Sequence, residues 1–147
     1  MYKNILVPTD GSPLSRAAAE KAVKLAKITG AKITAFFAAP ALTPVIYKGL
    51  LPVGFGTTGE HKALVEKAAA QHLGYIEVLA KKAGVPVKST HATDDYPASG
   101  ILAAAKKEKC DLIFIASHGQ TGFRKTLLGS QTAKVLADST VPVLVHR

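Results

Sequence analysis

Apolar positions along the chain fall into short dense runs separated by longer stretches of helical period. Ile5, Leu6 and Val7 make the first run, residues 33–39 the second, and Leu112, Ile113, Phe114 and Ile115 a later one. Such runs are expected of strands buried on both faces, as in the middle of a parallel sheet. Between the first two, Leu14, Ala18, Ala22, Leu25 and Ala26 recur at helical spacing. Ser12 can cap that helix, Pro13 suits its first turn, and Gly30 closes it. Residues 61–83 carry the longest helical pattern, with Leu64, Ala68, Tyr75, Leu79 and Ala83 on its stripe and Gly84 at its end. His72 lies on or beside that stripe and reads as a half-buried structural histidine, because no Cys, Asp or Glu stands at metal-pair spacing from it.

Residues 85–92 read as a third strand, with Pro86 tolerated at its beginning. His91, Asp94 and Asp95 follow at its end, where turn and helix-cap duty is favoured over a metal pair. Pro97 and Ala98 open a helix reaching Lys109. Residues 111–116 form a fourth strand, residues 132–138 a last helix with Val135 and Leu136 facing inward, and residues 141–146 a fifth strand. Strands alternating with helices imply an α/β domain spanning residues 1–147, its parallel sheet covered on both faces. Right-handed crossovers bring the strand ends carrying Asp10, Ala38 and Ser117 to one edge, where open α/β sheets bind ligands. Residues 40–59 break every period with prolines and glycines yet keep Val45, Ile46, Tyr47 and Phe55. They read either as a conditional lid or as an arm packed on its own subunit.

At 147 residues and 48% hydrophobic, the chain can bury a sizeable core. No run approaches the ~18 apolar residues of a membrane span and no signal peptide opens the chain, so no membrane partner is expected. The single Cys110 has no internal disulfide partner. It reads as a packed core thiol in a reducing cytoplasm. A net charge of +9 raises the question of nucleic acid. The lysines are spread over several helices (Lys21, Lys24, Lys27; Lys81, Lys82; Lys106, Lys107, Lys109) with acids interleaved and no stacking aromatics. They read as solvated helix faces, and no nucleic-acid partner is expected.

The candidate chemistry concentrates after the fourth strand. Ser117-His118-Gly119 begins a polar loop, Arg124 and Lys125 give it charge, and Gly129-Ser130 leads into the helix that continues from Gln131. A strand, a glycine-punctuated basic loop and a helix N-terminus together make an anion site, because free N–H groups and the helix dipole both favour negative charge. A P-loop fails here because Arg124 occupies its second glycine position. A nucleophile elbow fails because Ile115 replaces its first glycine.

The spacing A-x2-G-x9-G-S, from Ala116 through Gly119 to Gly129-Ser130, resembles the nucleotide loop of the universal stress protein family, G-x2-G-x9-G-[ST]. Ala116 stands where the family has glycine. The resemblance runs the length of the chain, from the Ile5 to Ser12 segment to Val141, Pro142, Val143, Leu144 and Val145. It implies a Rossmann-like open sheet in the order 3-2-1-4-5. It implies a site for ATP, or for AMP or ADP, at Pro8, Thr9, Asp10 and Ala38 together with Ala116, Ser117, His118, Gly119, Gly129, Ser130 and Gln131. Arg124 and Lys125 would add charge, and Mg²⁺ would bridge the phosphates and Asp10, whose other role is an Asx turn. The resemblance also implies a homodimer through the last strand, which is apolar and has nothing after it to cover its edge.

Three functions stay open on this reading. The first is a cytoplasmic regulatory module that binds an adenine nucleotide. The second is a slow ATPase or hydrolase using Ser117 and His118, although adjacent residues on extended backbone point to opposite faces. The third is a ligand-free dimeric scaffold, if Ala116 blocks the site.

Overall fold

Ile5 and Val7 point to one side of the first strand and Leu6 to the other, and all three are completely buried. A strand wrapped in this way must lie between two layers. A computed structural model of the protein, describing residues 1–39, 58–94, 96–119 and 127–147, shows both layers. In chain order the elements are β1 (Asn4–Pro8), α1 (Pro13–Thr29), β2 (Lys32–Ala39), α2 (Thr58–Ala83), β3 (Val87–Thr93), α3 (Pro97–Lys107), β4 (Leu112–Ala116), α4 (Ser130–Asp138) and β5 (Val143–His146). The five strands form one sheet in the order β3-β2-β1-β4-β5, and every pairing is parallel. The expected α/β architecture and strand order are therefore those observed.

One core cluster joins α1 and α2 (Ala22, Ala26, Leu73, Ile76) to Ile5, Val7, Ile33 and Phe114. The other joins α3 and α4 (Ile101, Ala105, Val135) to Leu6, Phe36 and Ile113. Alanine dominates the buried face of α1, which lets the helix approach the sheet closely. Ser12 caps α1 by accepting from the Ser15 amide, and Gly30, at φ 72°, ends it in the left-handed conformation that glycine adopts without strain.

Several boundaries and one burial differ from expectation. α4 begins at Ser130, two residues before the expected start, because Gly129 occupies the cap position. Val135 is fully buried, but Leu136 is 40% exposed. Successive residues are turned about 100° around a helix axis, so a single sheet cannot bury both. Cys110 is buried as expected, and desolvation pushes its thiol above the usual range. Among the described residues no helix is long and apolar enough to cross a membrane. Residues 40–57, and with them nearly all of the proposed lid or arm, lie outside the described residues.

The two sides of α2 give a direct check of this packing. Ile76 is completely buried and Val78 is 52% exposed. Ile76→Ala is expected to cost about 2–5 kcal/mol in urea unfolding, and Val78→Ala less than about 0.5 kcal/mol. Equal losses would contradict the burial of α2 against the sheet.

Candidate functional site

Two loops at the carboxyl edge of the sheet build the site. After β1, the Thr9 amide donates to Phe36 O at 2.9 Å and so continues the pairing with β2. Its hydroxyl lies 3.1 Å from that of Ser15 and accepts the Gly11 amide at 3.1 Å. Asp10 Oδ1 accepts the Ser12 amide at 2.9 Å, which is the expected Asx turn. Gly11 has φ 79°, and a Cβ there would overlap the imidazole of His72. Both conditions require glycine.

The second loop leaves β4. The Ser117 amide donates to His146 O and its carbonyl accepts the Gly129 amide, each at 2.7 Å, so this residue ties β5 and the start of α4 to the end of β4. Ser117 Oγ lies 3.2 Å from His118 Nδ1. This corrects the expectation that the two side chains face apart, since β4 ends at Ala116 and the alternation of a strand ends with it. Ser117 is only 4% exposed and lies behind the site wall.

Gly129 caps α4 with extended backbone, and having no side chain it offers no cap hydrogen bond to the first turn. A Cβ on Gly129 would lie 3.1 Å from His118 Cα and 3.3 Å from Ser117 O. The glycine is thus needed for close approach to the chain leaving β4, and its own amide is already donated. Ser130 is the first helical residue, so it is not the cap. The first N–H groups of a helix have no intrahelical acceptor, and here the cap residue supplies none from its side chain. Thr132 holds the other side of the turn by donating to Ala116 O at 2.8 Å.

These loops surround a cavity of about 660 Å³, within the range of small-molecule sites. It is lined by Pro8, Thr9, Asp10, Ala38, Ala116, His118, Gly119, Gly129, Ser130 and Gln131, all expected at the site. Arg124 and Lys125 lie outside the described residues. Gly119 sits so close to Asp10 that a Cβ would overlap its carboxylate. Gln131 Oε1 accepts the Ala98 amide at 3.0 Å and so caps α3 from the neighbouring helix. Ala116 is 5% exposed and packs in the same core cluster as Phe114, and the cavity stays open in front of it.

Sequence reasoning missed the remaining walls. Phe36, Phe37, Pro97, Ile101 and Ile115 supply apolar surface. From α2 come His61, Leu64, Val65, Ala68 and His72. Their spacing was the available signal, since they occupy one helical face that runs on beyond the part packed on the sheet. His72 packs edge-on against Phe37, with ring centroids 5.3 Å apart. Its Nδ1 is buried without a hydrogen-bond partner among the described residues. Desolvation lowers its pKa below 6.5, opposed by Asp10 and reinforced by Arg16. Among the described residues no three His, Cys, Asp or Glu side chains group as a metal site.

Comparison with known proteins assigns the class. The universal stress protein family matches residues 1–147, and the chain belongs to that family. It is 32% identical to the universal stress protein YxiE of Bacillus subtilis, covering 100% of both chains. It is also 32% identical to the universal stress protein MJ0531 of Methanocaldococcus jannaschii, covering 99% of this chain and 82% of that one. Among solved structures, the hypothetical protein MJ0577 superposes with a TM-score of 0.76 at 26% identity, covering 99% of this chain and 95% of its own. A universal stress protein in complex with cAMP gives 0.70 at 20% identity (99% and 97% covered). The Archaeoglobus fulgidus protein in complex with dAMP gives 0.67 at 18% identity (99% and 98% covered).

Two outcomes follow from the geometry of the walls. Gly119→Ala should displace the Asp10 carboxylate from the Ser12 amide and cost about 0.5–1.5 kcal/mol of stability. Unchanged stability would mean that the carboxylate moves aside freely. For His72 the folded pKa lies below the unfolded one, so the unfolded chain takes up the proton first as pH falls. Stability should therefore be complete above about pH 6.5 and decline below it. His72→Gln should flatten that part of the profile of melting temperature against pH, and an unaltered decline would assign it to other groups.

Proposed function

We propose that the cavity binds an adenine nucleotide and that the protein is a single-domain, nucleotide-dependent regulatory module. The observation that carries this reading is the N-terminus of α4, which starts from a glycine cap and opens into a cavity with apolar walls. An anionic phosphate satisfies such a helix end, and an aromatic base suits the walls. The amides of Ser130 and Gln131 and the Ser130 hydroxyl are the phosphate donors, joined by Arg124 and Lys125. The ribose lies toward Asp10 and the base toward Ala38. Family members solved with cAMP and dAMP support the ligand class. The family name supports a role in the stress response.

ATP is the form for which Mg²⁺ has a place. Asp10 fits as one carboxylate ligand, with phosphate oxygens and water completing the shell, as this ion commonly requires. The metal would neutralise phosphate charge. A hydrolytic function has less support, because the Ser117 hydroxyl, although paired with His118, is buried and does not line the cavity.

Calorimetric titration with AMP, ADP and ATP, followed by a turnover assay, tests the reading. Ser130→Ala is expected to weaken binding by about tenfold or more, the worth of a hydrogen bond to a charged phosphate. Gly129→Val is expected to abolish binding, but it also collides with His118, so the exposed Ser130 is the cleaner probe. Parental affinity in Ser130→Ala would place the phosphate elsewhere.

The same reading includes a homodimer through the last strand. Among the described residues β5 is a sheet edge paired to β4 alone, and Leu144 is 38% exposed on it. Unpaired apolar edges seek partners. Leu144→Lys should sediment as a monomer, and an unchanged dimer would put the interface on another surface.

A further inference from the structure

In a parallel α/β sheet every helix ends, and the next strand begins, at the same edge. Lys27 stands in the last turn of α1, Lys81 and Lys82 in that of α2, and Lys106 and Lys107 in that of α3. Lys3 precedes β1 and Lys32 begins β2. All seven are exposed. Lysines that look scattered along the sequence are therefore gathered at the amino edge of the sheet. Three acids among the described residues share that edge, and one of them, Asp138 at the end of α4, is exposed. Glu108 is paired with Lys88 at 2.6 Å, and Asp111 accepts the amides of Lys3 and Asn4.

This charge does not serve the cavity. No lysine or arginine among the described residues lines it. The two edges are separated by strands of four to eight residues, roughly 13–26 Å at the usual rise. That exceeds the Debye length of about 8 Å at physiological salt. Helix dipoles favour cations at helix C-termini, but Lys3 and Lys32 lie at strand starts, where no dipole accounts for them. At the same edge Ile28, in the last turn of α1, is 83% exposed, and Met1 is 98% exposed. Apolar tips among lysines gain nothing from a phosphate backbone in water. They do gain from the interface of a bilayer.

We propose that this amino edge docks on an anionic lipid surface, the lysines facing the headgroups and Ile28 entering the interface. Polybasic surfaces bind such membranes through the sum of many modest attractions. The solvated helix faces read from the sequence are joined by the topology into one basic edge.

Flotation of the full chain with vesicles tests it, comparing phosphatidylcholine alone with vesicles containing about 30% phosphatidylserine at physiological salt. Binding is expected only to the anionic vesicles. Lys27→Glu with Lys107→Glu should reduce it at least about tenfold, and Ile28→Ser several-fold. All three positions are exposed, and unchanged circular dichroism would confirm that the variants fold. Duplex DNA serves as the second arm. Absence of binding to anionic vesicles overturns the proposal, as does equal binding to neutral ones. Tighter retention by DNA that Ile28→Ser leaves unchanged assigns the surface to nucleic acid and overturns it as well.

Discussion

The central strands of this protein must bury both of their faces, and most of the structure follows from that requirement. Leu6 and Ile113 look toward α3 and α4, while Ile5, Val7 and Phe114 look toward α1 and α2. Two-sided burial forces a helix between successive strands and a parallel sheet. All chain reversals of one kind then fall on one edge. The carboxyl edge gathers the turns after β1, β2 and β4 and with them the cavity, and the amino edge gathers the helix ends and their lysines. The cavity and the basic surface at opposite ends are two consequences of one topology.

Within the carboxyl edge, main-chain hydrogen bonds give the site its shape. Ser117 joins β4 to β5 through its amide and to Gly129 through its carbonyl. Because Gly129 is held there, α4 points its first turn into the cavity. The glycine cap supplies no side-chain acceptor at that end, and an occupant of the cavity can supply one. The apolar walls complement this single polar demand. They come from Phe36 and Phe37 on β2 and from the first half of α2.

Much of this was legible in the sequence. Uninterrupted apolar runs located β1 and β4, and the Ser12-Pro13 and Gly30 signals located α1 almost to the residue. The spacing of Gly119 and Gly129 located the second loop. What was not legible depended on three-dimensional neighbours. Gly129 was expected at the nucleotide site, and the sequence did not show that a Cβ there would press first on the backbone of His118. His72 read as structural, and it does pack on Phe37 and Gly11, but it also lines the cavity. Neither the pairing of Ser117 with His118 nor the outward turn of Leu136 could be read from alternation or period alone. The gathering of the lysines at one edge was the least legible, because clustering in space depends on chain direction and not on sequence proximity.

The measurement that bears most directly on the nucleotide site is a residue-resolved one. Backbone amide resonances of the protein titrated with AMP would report the site without any substitution. Saturable shifts are expected to concentrate at Thr9, Asp10, Ala38, Gly119, Ser130 and Gln131, with the amides of the amino edge unmoved. Shifts concentrated elsewhere, or none at millimolar AMP (about the weakest affinity worth calling binding), would contradict a nucleotide site at the N-terminus of α4.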